Sequence, residues 1–356
     1  MTVANTTIKP KTLNILLLYT VSLITTNDKK NCTKLAQNIN MDYDSFNRLL
    51  EQESNCKDYL LRKAIATIKF FIAEIGITGW IIGDDTIISK PFSERVTGTS
   101  EQYDTVAHTS NLALVPVVIA WTNGITTIPI AFKQFYKKEV AGDLYKSKIE
   151  LMIELLELVK KNDIPFIGAF FDGLYATNEL IEYCNTKNIC FVMRLKSNSV
   201  ITNHNGKSQA KKHPDLHLHR NSRSKKTKAQ WQGFELIFAT EKFLRKNGEH
   251  KQVFIVSNMD LSAQELIACY RKRWNIEKMF RSTKQKLGLK DCQCYALHKQ
   301  ASHTALVFTS YIFLQLQLFE NQSVNVESAQ RRFCYTNSSF HNPSEDPAVL
   351  NFAHFA

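Results

Sequence analysis

Four polar residues in the last third of the chain have types and a spacing that suit a catalytic site. Tyr270, Arg273, Glu277 and Lys284 follow one another at intervals of three, four and seven positions. At about 100° per residue on an α-helix, all four point to one narrow stripe. A carboxylate flanked by two cations and a phenol suits a site that binds a metal ion and phosphate groups. By itself, such a stripe is also typical of a solvated amphipathic face.

Trp274 directly follows the arginine of this stripe and lies beside it on the helical wheel. Its flat ring could stack on a nucleic-acid base. A buried aromatic of the protein core is an equally good interpretation of the same residue.

Two further carboxylates come after apolar segments that have the composition of strands. Asp85 follows residues 80–82, and Asp172 ends the nearly all-apolar segment 164–171. Together with Glu277, they could hold two Mg²⁺ ions, which prefer hard oxygen ligands, and two such ions suit phosphodiester chemistry. Singly, an aspartate after a strand is most often a turn or cap residue. Asp84 is the alternative to Asp85 as the first of these three metal-binding carboxylates.

The elements that must position these residues belong to a mixed α/β fold. Residues 12–74 are predicted to be helical. From residue 79 the pattern changes to strands, with a hairpin at Asn123-Gly124, a helix over 147–161, a buried strand over 164–171, a helix over 176–184 and another buried strand over 189–195. We expect a mixed sheet flanked by helices, with acidic residues at strand ends.

The second half of the chain continues with an insertion and a return to the core. Residues 199–249 are predicted to form a basic, β-rich insertion with a strand over 231–239, and a further strand is predicted over 253–256. Ser262 is predicted to cap one helix that carries Tyr270 through Lys284, and Gly288 to end it. The predicted regions are 1–74 (helical), 75–198 (first part of the core), 199–249 (insertion), 250–325 (second part of the core) and 326–356 (a loose polar tail).

Two short helices near the N-terminus resemble a helix-turn-helix. Residues 34–41 and 44–50 are amphipathic and joined by a tight turn, with Asp44 or Ser45 as the expected N-cap of the second helix. If this pair binds DNA, Asn47 and Arg48 are the candidates that face the groove. Helical pairs that bind nothing are equally common.

The charge of the chain favours a polyanionic partner, of which nucleic acid is the commonest. The formal net charge is +12 and the pI is about 9.2. Within the insertion, the candidate contacts with the DNA backbone are Lys211, Lys212, Arg223, Lys225 and Lys226. The alternative is a solvated charged loop.

The cysteines and the N-terminal segment of the sequence predict the cellular compartment of the protein. Eight cysteines show no spacing typical of a disulfide framework, which fits a reducing cytosol. The apolar segment 13–24 lacks a cleavage site and is too short to span a bilayer, so we predict a core helix there. We therefore expect a cytoplasmic protein, with no membrane partner.

In these motifs the chain resembles the DDE transposases of bacterial insertion sequences, of the insertion-sequence 4 type. The mark of that type is Y-(2)-R-(3)-E-(6)-K, which Tyr270, Arg273, Glu277 and Lys284 match without a gap. The segments Gly-Asp-Asp-Thr at 83–86 and Phe-Phe-Asp-Gly-Leu-Tyr-Ala at 170–176 resemble the first two acidic motifs of the family. The resemblance covers about residues 30–320.

The resemblance implies a ribonuclease-H-like sheet, Mg²⁺ or Mn²⁺ as cofactor with two ions per site, and cut-and-paste movement of DNA. Asp85, Asp172 and Glu277 would be catalytic metal ligands. Tyr270, Arg273 and Lys284 would contact phosphates, and Trp274 could stack on a displaced base. The implied partners are double-stranded DNA, as terminal inverted repeats and as target, and a second copy of the chain in a homodimeric synaptic complex.

Two other functions stay open at the level of sequence. One is a catalytically defective, transposase-derived DNA-binding protein or repressor, suggested by the short polar tail. The other is a metal-dependent nuclease on the same core. Joining of a free 3′-hydroxyl end to target DNA separates a transposase from such a nuclease.

Overall fold

The fold is known from a computed structural model, which describes residues 8–91, 95–104, 108–219, 222–244, 248–322, 325–337, 349 and 351–352. The chain divides into two compact units. The first comprises residues 1–77, 85–164 and 276–356, and the second comprises residues 78–84 and 165–275. The described residues form helices and strands, and the strands pair both parallel and antiparallel, so the predicted mixed α/β class is confirmed. No helix within the described ranges is both long and apolar enough to cross a membrane.

The first unit begins with four helices: α1 (Pro10–Thr25), α2 (Cys32–Asn38), α3 (Tyr43–Leu50) and α4 (Glu53–Ile75). From Leu16 onward the apolar residues of α1 are buried except the half-buried Leu18, so this segment is the core helix that its sequence predicts. The second helix of the predicted pair starts earlier than expected, because its N-cap is Asp42 rather than Asp44 or Ser45.

Three strands of the first unit pair antiparallel with one long strand. This strand, β4 (Thr109–Thr122), pairs with β2 (Ile88–Ser89), β3 (Ser100–Asp104) and β5 (Thr127–Phe135). The predicted hairpin at Asn123-Gly124 is confirmed. Its loop extends over residues 123–126, because the Asn123 side chain accepts hydrogen bonds from the backbone N–H groups of Ile125 and Thr126, and Gly124 has a φ of 100°.

Helices cover this sheet and complete the core of the first unit. After the short α5 (Lys138–Ala141), α6 (Lys148–Lys161) starts with a capping box between Ser147 and Glu150 and packs on β4 and β5. The longest helix, α10 (Leu297–Glu320), is buried over most of its length and packs against α1, α4 and β5.

Part of the segment after residue 325 forms a helix. Residues Val326–Asn337 form α11, which packs on α10, and the Phe313 ring contacts those of Phe333 and Phe352 at 5.0 Å between centroids. The expectation of a loose polar tail after residue 325 is therefore wrong for α11 and Phe352. The reason is that a few apolar side chains, spaced along a polar segment, are enough to dock it.

The second unit is built on three parallel strands. β1 (Trp80–Asp85) pairs with β6 (Ala169–Phe171), which pairs with β7 (Phe191–Leu195). Between β6 and β7 lies α7 (Asn178–Thr186), capped by Thr177. Gly168 allows the strands to approach closely, because a Cβ there would lie 2.6 Å from the Cys190 carbonyl oxygen and 2.8 Å from the Trp80 ring.

Antiparallel strands extend the sheet of the second unit beyond β7. The order continues through β12 (His250–Ser257), β11 (Phe234–Leu244), β10 (Ser224–Trp231), β8 (Val200–Asn203) and β9 (Gly206–Gln209). The prediction of a single strand over 231–239 is wrong. Gln232 and Gly233 have φ values of 54° and 86°, and they form a two-residue turn that separates β10 from β11.

The predicted helix from Ser262 to Gly288 is divided into α8 (Ala263–Arg271) and α9 (Trp274–Lys286). Ser262 caps α8 in a capping box with Glu265, as expected. At the division, the N–H groups of Lys272 and Arg273 bond to carbonyls three residues back instead of four. The single helical stripe inferred from the sequence is therefore wrong, since Tyr270 and Glu277 belong to different helices.

Gly288 ends α9 in the predicted manner. Its φ is 71°, and the Leu289 N–H bonds to the Thr283 carbonyl at 3.1 Å, which closes the last turn of the helix.

Candidate active site

Two aspartates lie at matching positions of neighbouring parallel strands in the second unit. Gly83 of β1 is the register partner of Phe171 of β6, so Asp84 and Asp172 directly follow the last paired residues. The rings of Trp80 and Phe170 stack on one face of these strands, 4.6 Å apart. Because side chains alternate along a strand, Asp84 belongs to the face of Trp80 and Asp85 to the opposite one.

Two residues of the predicted signature bond to these aspartates. The Tyr270 hydroxyl donates to Asp172 Oδ1 at 3.4 Å, and an Arg273 Nη donates to Asp84 Oδ2 at 2.7 Å. The Arg273 and Asp84 side chains are 9% and 17% exposed, so this ion pair is largely shielded from water. The structure thus brings Tyr270, Arg273 and Asp172 together, with Asp84 as a fourth member.

The Tyr270 phenol is a hydrogen-bond donor over the whole neutral range of pH. Burial is the main reason that the pKa of Tyr270 is raised, and the positive charges of Arg273 and Arg194 offset only part of this rise. The Arg273 guanidinium also lies over the Tyr270 ring, 5.7 Å from its centroid. These contacts hold the ring in place, so its hydroxyl stays directed toward Asp172.

Asp85 has a different partner, in the first unit. Lys148 Nζ lies 2.8 Å from Asp85 Oδ2, and the same ammonium lies 5.3 Å from the centre of the Phe135 ring. Lys148 is the first residue of α6, directly after its cap Ser147. The sequence carried no signal for this contact, because a lysine at the start of an amphipathic helix is ordinarily solvated.

The remaining signature residues lie on α9. Glu277 is in its first turn and Lys284 in its last, and both are half-buried. Trp274, the first residue of α9, is 58% exposed. The alternative interpretation of Trp274 as a buried core aromatic is therefore wrong.

The predicted cations of the insertion have different environments. Lys211 and Lys212 are exposed on a short 3₁₀ helix (Ala210–Lys212), and Lys225 is half-buried on β10. Lys226 pairs with Asp260 at 2.7 Å, and Arg223 lies 3.5 Å from Glu241. Lys211 is the one among these five that borders the groove described next.

A groove of about 610 Å³ opens beside Asp172 in the second unit. Its lining includes four cationic residues besides this aspartate: Arg194, Lys196, Lys211 and Lys251. Sequence reasoning identified only Lys211 among them. A signal for Arg194 was present, because it interrupts the otherwise apolar strand Phe-Val-Met-Arg-Leu of β7.

The carboxylates have the right donor atoms for a hard divalent cation, but two of them already bond to cationic side chains. Carboxylate oxygens are preferred ligands of Mg²⁺ and Mn²⁺. Asp84 is held by Arg273 and Asp85 by Lys148. Across the described ranges, no three His, Cys, Asp or Glu side chains form a group that could hold a metal ion. A metal ion therefore has to compete with these ion pairs.

Comparison with known protein families gives a match for the middle of the chain. The sequence model of the family described as "Transposase DDE domain" matches residues 134–313, just over half of the chain. This range includes Asp172 and the four signature residues, and it excludes Asp84 and Asp85. No curated protein matches the chain.

Proposed function

The chain belongs to the family of transposases with a DDE domain, and from this premise we propose that it is the transposase of an insertion sequence of the insertion-sequence 4 type. It would cleave double-stranded DNA at the terminal inverted repeats of its element and join the ends to target DNA, as a homodimer in the synaptic complex. The proposed fold of its core is ribonuclease-H-like.

One observation carries the proposal: the signature segment bonds directly to the second acidic motif. Tyr270 and Arg273 belong to the Y-(2)-R-(3)-E-(6)-K pattern, and Tyr270 reaches Asp172 although 98 residues separate them. A solvated helix face would have no reason to make this contact. The match of the family to residues 134–313 supports the same assignment.

The proposed catalytic residues are Asp172, Glu277 and one aspartate of the pair Asp84 and Asp85, which would bind Mg²⁺ or Mn²⁺. When bound, two such ions would activate the attacking oxygen and stabilise the leaving oxygen of the phosphodiester. The residues of the chain would orient the DNA: Arg273 and Lys284 through phosphate contacts, Trp274 through stacking on a base.

For the first carboxylate, the register supports Asp84 over Asp85. Asp84 and Asp172 follow the same register pair of two adjacent parallel strands, and Asp85 faces the other way. In this proposal, Asp85 is a positioning residue that holds Lys148.

The test is cleavage of DNA that carries the ends of the chain's own element, with Mg²⁺ or Mn²⁺ supplied. We expect Asp172→Asn and Glu277→Gln to reduce cleavage to background while specific binding of the ends persists. Asp163→Asn is the matched control, because Asp163 is exposed and its φ of 49° suits asparagine equally well. Cleavage that survives Glu277→Gln, or that needs no divalent ion, would falsify the assignment.

The same assay separates Asp84 from Asp85. We expect Asp84→Asn to abolish cleavage and Asp85→Asn to lower its rate by roughly tenfold or less, about 1.4 kcal/mol in barrier height. If Asp85→Asn abolished cleavage and Asp84→Asn only slowed it, Asp85 would be the first metal ligand. Specific binding by the wild-type chain without any cleavage would instead favour the repressor hypothesis.

A further inference from the structure

Three neighbouring strands of the second unit carry charged residues at one level. Gly83 of β1 pairs with Phe171 of β6, and Phe171 pairs with Met193 of β7. The residue that follows each of these three is charged, and these residues are Asp84, Asp172 and Arg194. Met193 is buried, but Arg194 is exposed. The strand thus presents one exposed guanidinium, between buried neighbours, beside the proposed catalytic aspartate.

The groove beside Asp172 continues this cationic surface. Lys196 follows the end of β7, Lys211 lies on the 3₁₀ helix of the insertion, and Lys251 is the second residue of β12. All border the same space of about 610 Å³, together with the polar residues Ser197, Asn198 and Gln252. One carboxylate and four cations in a polar groove leave a strong excess of positive charge.

The size and the charge of this groove indicate its occupant. Its volume lies within the range of small-ligand pockets, roughly 300–1,000 Å³, which accommodates a few nucleotides of one strand. Guanidinium and ammonium groups that track a backbone are the usual way of binding single-stranded nucleic acid without reading its sequence. A cationic partner would be repelled by this lining, and an apolar partner would gain little from it.

We propose that Arg194, Lys196, Lys211 and Lys251 bind the phosphate backbone of one DNA strand and lead it to Asp172. This inference rests on the proposed function for the identity of the strand, namely the strand that is cut or transferred. It adds a path for the DNA across β7, β12 and the start of the insertion. Arg194, which directly borders the acidic level of the sheet, would contact the phosphate nearest to the reacting one.

The experiment measures binding of the full-length chain to a single-stranded oligonucleotide over a series of salt concentrations, without divalent metal. The variants are Arg194→Gln and the triple variant Lys196→Gln, Lys211→Gln, Lys251→Gln. The control is Lys161→Gln with Lys187→Gln, two exposed lysines outside the groove. Thermal unfolding of each variant checks that the fold is retained.

We expect the triple variant to reduce the slope of log affinity against log salt by about 2, since each phosphate contact with a single strand contributes about 0.7. Arg194→Gln should reduce it by about 0.7, and Arg194→Lys should restore it. The control should keep the wild-type slope. Folded groove variants with the slope and affinity of the wild type would overturn the proposal.

Binding and cleavage fail separately in this design. The oligonucleotide assay contains no metal and leaves Asp172, Glu277 and both first-motif aspartates unchanged. If the chain never cleaves DNA, the slopes still decide whether the groove binds a strand. If the groove variants bind normally while the wild type cleaves, the path is wrong and the transposase assignment stands.

Discussion

The hydroxyl of Tyr270 bonds to the carboxylate of the second acidic motif, Asp172. Its hydrogen bond to Asp172 Oδ1, at 3.4 Å, is long and weak. The ring itself has a second role, because the Arg273 guanidinium lies over its face. Tyr270 therefore combines a donor that orients Asp172 with a surface that supports Arg273.

Replacing Tyr270 by phenylalanine separates these two roles. We expect Tyr270→Phe to slow cleavage by roughly tenfold or less and to change the free energy of unfolding by under about 1 kcal/mol, because the ring remains and only a weak hydrogen bond is lost. Single-turnover cleavage and urea unfolding measure the two effects. Tyr145→Phe, at a tyrosine that is 39% exposed, is the control. An unchanged cleavage rate would contradict the orienting role.

Lys63 shows how burial changes the pH dependence of stability. Its side chain is fully buried in α4, and its ammonium donates to the Phe352 carbonyl. Burial lowers the pKa of Lys63 from 10.5 to about 8. Between these values the unfolded chain binds more protons at this residue than the folded chain does. The contribution of Lys63 to stability therefore increases as the pH rises from about 8 toward 10.5.

The variant Lys63→Met removes this dependence. We expect the stability difference between the variant and the wild type to shift by roughly 3 kcal/mol in favour of the wild type between pH 7 and pH 11. Urea unfolding at several pH values measures the shift. The comparison cancels the contribution of Lys30, whose pKa burial also lowers to about 8. A difference that is constant with pH would show that Lys63 titrates normally.

At the scale of elements, two helix ends offer a matched pair. Gly76 ends α4 and Gly288 follows α9, and both have a φ of 71°. A Cβ at Gly76 meets nothing within 4 Å, whereas at Gly288 it would lie 2.6 Å from Lys30 Cβ and 2.8 Å from Lys30 Cδ. A substitution by alanine would therefore cause the same backbone strain at both positions, but it would cause a steric clash only at Gly288.

We expect Gly76→Ala to cost about 1 kcal/mol and Gly288→Ala to cost about 2–4 kcal/mol, because only the second adds overpacking to left-handed strain. Denaturant midpoints of the two variants provide the measurement. Equal costs would mean that Lys30 moves aside without penalty. The helix that carries Glu277 and Lys284 would then tolerate changes at its end.

The sequence predicted helix ends better than it predicted breaks within elements. Ser262 and Gly288 act where cap chemistry indicates, because a cap is a local interaction among a few neighbouring residues. The division at Lys272 and Arg273 has no proline or glycine to mark it. The turn at Gln232-Gly233 was missed for a related reason, since glutamine seldom adopts a positive φ.

At the scale of the whole molecule, contacts between distant residues decide the site. Asp84 and Arg273 are 189 residues apart, and the ion pair between them follows from strand order and register rather than from any local pattern. Lys148 was missed for this reason. The residue types of the site could be predicted from motif spacing. Their partners could not, because a sequence does not state which strand lies beside which.

Phe352 links distant parts of the first unit. Its ring contacts Phe313 of α10, and the Lys63 ammonium of α4 lies 4.7 Å from its centroid. We expect Phe352→Ala to lower the free energy of unfolding by about 3–4 kcal/mol, since it removes a buried aromatic. The control Leu144→Ala, at a side chain that is 86% exposed, should be nearly neutral. A neutral Phe352→Ala would show that the C-terminal segment adds little to the core.

Gly168 is a residue whose importance a genetic screen would misattribute. Its missing side chain allows β6 to approach Cys190 and Trp80, and only four positions later comes Asp172. Any larger residue at position 168 would push β6 outward and displace that aspartate. Among random inactive mutants, position 168 would therefore be found alongside the acidic residues. Its phenotype would be that of a catalytic residue, although it has no side chain with which to contact DNA.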